Sequence, residues 1–155
     1  MAQTKYGKYI IRSPKVNNIA YHPTENVKGV TFPDEIYLDG DLVKGSPLFI
    51  DIGWRFEIPD PDPVEWTHTH DFDEVLNFIG ADPKNPHDLG AEVEMQIGDE
   101  KHIINTTTSI FIPKGVPHCP MIHKRVDRPY LLVVVALNNK YPTAEEETAG
   151  TDRKQ

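Results

Sequence analysis

Apolar and polar residues alternate along much of this chain with a period of two, the mark of half-buried strands. Residues 48–58 show it best. Ile50, Ile52, Trp54, Phe56 and Ile58 share one parity, and Asp51, Arg55 and Glu57 share the other, with Gly53 between them. This predicts a strand with Trp54 in the core. Ala91, Val93, Met95 and Ile97 alternate with Glu92, Glu94 and Gln96 in the same way. Gly98-Asp99-Glu100 then predicts a hairpin turn, with residues 101–105 as the returning strand. Residues 130–137 are apolar almost throughout. A strand covered on both faces reads this way, central in one sheet and also meeting a second subunit.

Shorter elements fill the intervals. Residues 29–32 and 35–38 read as short strands around Pro33, and 39–41 as a turn. The stretch Pro59-Asp60-Pro61-Asp62-Pro63 is a stiff loop, because a residue before proline is kept out of helix. Residues 64–70 and 73–79 predict two strands with a bend near Asp71. Residues 80–90 form a turn-rich insert. Residues 109–112 lead through a Pro/Gly turn to a strand carrying His118. Residues 1–24 are polar around the patch Tyr9-Ile10-Ile11, either an arm pairing with a sheet edge or a loosely held terminus. After Lys140 the chain turns polar and charged, which predicts a flexible tail over 141–155. The expected division is therefore 1–46 for an arm and edge strands, 47–140 for a barrel, and 141–155 for the tail. No internal repeat is present.

The chemistry concentrates in Glu65-Trp66-Thr67-His68-Thr69-His70-Asp71-Phe72-Asp73-Glu74. His68, His70 and Glu74 share one parity, so an extended backbone points two imidazoles and a carboxylate to one face. His118 follows the turn Pro113-Lys114-Gly115 as a fourth candidate. Imidazole nitrogen and carboxylate oxygen suit zinc, iron, manganese, nickel or copper. Trp66, Leu76 and Phe78 share the parity of the first three ligands, and Pro120 and Ile122 that of His118. These five are expected to line the pocket and keep it dry. Cys119 is expected on the face opposite His118, as a small buried hydrophobe. Asn77, His123 and Arg125 are expected to face outward, Lys124 inward or to the rim, and His87 and His102 to be surface residues.

At these residues the sequence resembles the cupin superfamily. Its first motif reads Gly, five residues, His-x-His, three or four residues, Glu, six residues, Gly. Here His68-Thr69-His70, three residues, Glu74, five residues and Gly80 follow it, with Asp62 at the initial Gly. The second motif reads Gly, five residues, Pro-x-Gly, two residues, His, three residues, Asn. Pro113-Lys114-Gly115 and His118 match it, with Thr107 and Ile122 at its ends. The resemblance spans residues 47–137 and extends to single-domain bacterial cupins with an Ile-Gly-x-Asp-Pro insert. It implies an all-β, double-stranded β-helix: a small antiparallel jelly-roll barrel. It also implies one divalent metal ion per chain (Fe, Mn, Zn or Ni) at His68, His70, Glu74 and His118, and pairing of two chains into a homodimer.

Composition narrows the partners. A chain of 155 residues suggests one domain, and 14 prolines among short alternating runs favour a β-rich fold with many turns. A formal net charge of −8 argues against nucleic acid and against an anionic membrane surface. No run approaches the roughly 18 apolar residues of a membrane span. The start of the chain has no apolar signal-peptide core. A cytoplasmic protein is expected, and its one cysteine excludes an internal disulfide.

An octahedral ion with four protein ligands keeps two positions for water, substrate or dioxygen. Two enzyme chemistries follow for a small-molecule substrate. A redox metal activates dioxygen, or a Lewis-acid ion polarises a carbonyl or carboxylate for isomerisation or lyase chemistry. The second route needs a proton shuttle, for which Glu65, Lys114 and Tyr37 are candidates by position, and the catalytic residue stays unassigned. A non-catalytic metal-containing binding or sensor module is the alternative.

Overall fold

The computed structural model describes residues 4–16, 20–23, 26–31 and 35–143. The expected break at Pro33 and most of the tail, residues 144–155, lie outside them. After a 3-10 turn at Gly7–Tyr9, the described chain is built of strands, with no α-helix among the described residues. In order these are β1 (Lys15–Val16), β2 (Lys28–Val30), β3 (Glu35–Leu38), β4 (Phe49–Asp60), β5 (Glu74–Gly80), β6 (Asp88–Ile97), β7 (Glu100–Thr106), β8 (Thr108–Ile112), β9 (His118–Val126) and β10 (Tyr130–Ala136). No helix among the described residues is long and apolar enough to cross a membrane.

The larger sheet runs β1-β3-β4-β10-β5-β8, with β2 also on β4, and the smaller runs β7-β6-β9. Every registered strand pair in both is antiparallel. The sheets face each other, β4 against β9 and β10 against β6. This is the all-β jelly-roll barrel that the cupin resemblance implies. The arm pairs with a sheet edge, Lys15 opposite Ile36. The apolar run 130–137 is central, with β10 registered against β4 on one side and β5 on the other. Leu76, Phe78 and Leu132 of the larger sheet meet Val93, Met95 and Met121 of the smaller in one buried core.

Several expectations are corrected here. On β4 the inward parity is the polar one: Asp51, Gly53 and Arg55 are buried, while Trp54 is 44% exposed and Phe56 and Ile58 are exposed with it. Parity arguments assume an apolar interior. This interior holds a paired charge instead, Arg55 on Glu65, so the strand turns its polar side in. Gly53 makes room for it, since a Cβ there would stand 2.9 Å from Arg55 Nη1.

Residues 64–70 form no strand and make only an isolated bridge, His68 to His118. On β9, Ile97 pairs with His118 and Met95 with Met121, so one extra residue enters between them. This bulge, with Cys119 at φ 63°, turns both His118 and Cys119 inward and shifts the parity beyond. His123 is consequently buried rather than outward, and Lys124 is exposed.

Candidate metal centre

The two sequence motifs are tied together by backbone. His68 N donates to His118 O and His118 N to His68 O, both at 3.1 Å, and Gly115 N donates to His70 O at 2.8 Å. The Pro-Lys-Gly turn thus docks on the first histidine pair. Lys114 N also donates to Asp73 Oδ1 at 2.9 Å, fixing the bend before β5. Glu74 opens β5 between Ala136 of β10 and Ile112 of β8.

His68, His70 and His118 are buried, and one ring nitrogen of each lies within 4.8 Å of the others. Each Nδ1 is turned to a carbonyl oxygen: His68 to Trp66 at 2.7 Å, His70 to Phe72 at 2.8 Å, and His118 to Val116 at 2.9 Å. Those bonds place the proton on Nδ1 and leave the Nε2 lone pairs facing inward, the arrangement of metal-ligating imidazoles. Glu74 Oε2 stands 3.4 Å from His70 Nε2 and 3.2 Å from His118 Nε2. His70 Nε2, His118 Nε2 and Glu74 Oε1 are buried without a hydrogen-bond partner among the described residues. Buried polar atoms are rarely left so, and orphaned lone pairs from two imidazoles and a carboxylate are the donor set of a divalent cation. The residues fit the ion.

Electrostatics agree. Burial holds the His68 ring down at about 4, against the pull of the Trp66 carbonyl, so it stays neutral and able to ligate. Burial pushes the Cys119 thiol up, which leaves it protonated beside the site.

A cavity adjoins three of the four candidate ligands, His68, Glu74 and His118. Leu76 lines it as expected, with Phe49, Met121, Leu132 and Val134. Four residues expected there do not line it. Trp66 is 45% exposed, because its segment is not a strand and its parity carries no information. Phe78 lies further along β5 in the core, and Pro120 and Ile122 are displaced by the β9 bulge. Of the three shuttle candidates only Glu65 reaches the cavity. Lys114 is exposed, and the Tyr37 hydroxyl donates to Glu35 at 3.3 Å.

Residues that sequence reasoning missed complete the site. Arg55 Nη2 donates to Glu65 Oε1 at 2.8 Å, and His22 Nε2 stands 3.5 Å from the same oxygen. Burial would raise the Glu65 carboxyl, but Arg55, helped by His22, brings it to about 2. Tyr21 stacks on the His68 ring at 4.0 Å between centroids. Tyr141, assigned to the tail from sequence, is buried with its hydroxyl 3.3 Å from His68 Nε2. Arg55 carried a signal, as a charge at regular parity in a long strand. Tyr21, His22 and Tyr141 carried none.

No protein-family profile matches the chain, and no curated protein matches it. Solved structures do. A protein from Thermotoga maritima, described as a predicted oxalate decarboxylase, is 12% identical, with 83% of this chain and 98% of that one covered at a TM-score of 0.52. A cupin-2 domain from Rhodospirillum rubrum is 13% identical, covering 96% and 86% at 0.48. An RmlC-like cupin from Shewanella frigidimarina is 10% identical, covering 82% and 85% at 0.44. With two facing antiparallel sheets and His-x-His, Glu and His brought to one point between them, the chain is a protein of the cupin fold.

Proposed function

We propose that this chain is a metal-dependent cupin that acts on a small molecule, with one divalent ion held by His68, His70, Glu74 and His118. The observation that carries this is the convergence of three carbonyl-tethered imidazoles, two of which, His70 and His118, set Nε2 within 3.4 Å of the buried Glu74 carboxylate. The ion would supply Lewis acidity or a redox centre beside the cavity. The chain's own residues do the rest. The aliphatic wall excludes water, and the Arg55–Glu65 pair offers a fixed polar contact. The Tyr141 hydroxyl stands 3.3 Å from His68 Nε2, at the edge of the site.

A second reading is a metal-containing module that binds a small ligand without turnover. What favours it is that Glu65, the shuttle candidate at the cavity, is clamped by Arg55 and held ionised. Turnover decides between the two. Iron-reconstituted protein is assayed for oxygen uptake against diols and keto acids, and manganese- and zinc-loaded protein in an isomerase and decarboxylase screen. Product formation in either supports the enzyme. Tight ligand binding with no product in both supports the module.

We also propose a homodimer formed through the outer face of the larger sheet. Trp54, Leu131 and Ile79 lie side by side across β4, β10 and β5, and Val75 lies beside Phe111 of β8. Trp54, Phe56, Ile79 and Phe111 are exposed on this face, an apolar stripe of the kind that marks an interaction site.

A further inference from the structure

The metal ligands leave one buried carboxylate oxygen of the cavity unexplained. Glu65 is 4% exposed and lines the cavity with Arg55, Asp51 and His22. Its Oε1 is taken, by Arg55 Nη2 at 2.8 Å and His22 Nε2 at 3.5 Å. Its Oε2 is buried and has no hydrogen-bond partner among the described residues. A carboxylate held by an arginine has a fixed plane, so the second oxygen is aimed rather than mobile.

We propose that Glu65 is a ligand-binding residue whose Oε2 accepts a hydrogen bond from a hydroxyl or amino group of a small, neutral polar molecule, while a carbonyl or hydroxyl oxygen of that molecule reaches the metal. The inference rests on the metal reading above. An ionised carboxylate only accepts, so the ligand must donate. Burial opposes that state, but the Arg55 charge, helped by His22, keeps Glu65 ionised. Neutrality follows from the neighbours: an anionic ligand would meet the Glu65 carboxylate, and a cationic one the divalent ion.

The test uses the full chain loaded with cobalt(II), with the visible absorption of the bound cobalt as the signal. Acetone and hydroxyacetone share a carbonyl and differ in the donor, and glycolate keeps the donor but adds a negative charge. Hydroxyacetone is expected to bind at least about 10-fold more tightly than acetone, the effect of a hydrogen bond to a charged group. It is also expected to bind more tightly than glycolate. Glu65→Gln is expected to bring hydroxyacetone to within about 3-fold of acetone. Should that variant not fold, the wild-type comparison decides alone. Equal affinities for hydroxyacetone and acetone overturn the donor contact, and tighter glycolate binding overturns the neutral class. If cobalt does not load, the metal reading itself fails and the inference falls with it. If cobalt loads and the ligands do not discriminate, only the inference falls.

Discussion

The Tyr141 hydroxyl lies 3.3 Å from His68 Nε2, so the segment after the last strand closes over an imidazole supplied by the first motif. The arm joins it there, since Ala20 N donates to Pro142 O at 2.9 Å and Tyr21 stacks on the same ring. Both ends of the described barrel thus seal the site. Because a metal would take the lone pair that the Tyr141 hydroxyl now meets, Tyr141→Phe is expected to leave metal affinity equal or tighter. It should cost about 1 kcal/mol of stability in the metal-free protein. Tyr141→Ala, which also empties the contacts with Phe49 and Phe72, should cost about 3–5 kcal/mol in urea denaturation.

Arg55 and Glu65 stabilise each other only as a pair. Arg55→Met leaves a buried carboxylate without its cation, which should cost about 3–5 kcal/mol. Adding Glu65→Leu to that variant removes the stranded charge and should recover most of the loss. Chemical denaturation of the two variants and wild type checks this. A double variant as unstable as the single one would show that the pair is not what the site depends on.

The same pair sets an acid limit. Glu65 titrates at about 2 in the folded chain, against an ordinary 4.5. Its contribution is therefore complete above pH 4.5 and disappears as the pH falls towards 2. By linkage this amounts to about 3 kcal/mol. Thermal melts of wild type and of the Arg55→Met/Glu65→Leu variant across that window should converge as the pH drops, since the variant has no such group to lose.

The outer stripe gives a prediction about assembly. Leu131→Glu places a charge between Trp54 and Ile79, its neighbours across the sheet. Wild type is expected to sediment as a dimer and the variant as a monomer of unchanged fold by circular dichroism. A monomeric wild type would remove the proposed interface.

Alternation located the elements better than it located their faces. The β6–β7 hairpin followed from a period-two pattern and a turn, the central β10 from an apolar run, and the barrel from the resemblance that the two motifs carry. On β4 the faces came out inverted, because Trp54 and Phe56 occupy the surface and Arg55 the interior. Periodicity reports which residues share a face, and only the partner across the core, here Glu65, says which face is inside. The candidate set of His68, His70, Glu74 and His118 was legible because two short motifs carry it. The rest of the site was not. His22 and Tyr141 reach it only through the closure of the barrel, and a single-residue bulge at Cys119 redirected Pro120, Ile122 and His123. No local pattern announces either event.

The most direct test is the metal content of the purified protein, measured by mass spectrometry for wild type, His68→Ala and His118→Ala after identical reconstitution and dialysis. The expected result is about one divalent ion per wild-type chain and a large loss of occupancy in each variant. Equal and full occupancy in all three, or none in wild type under any reconstitution, would contradict the assignment of a metal to these histidines.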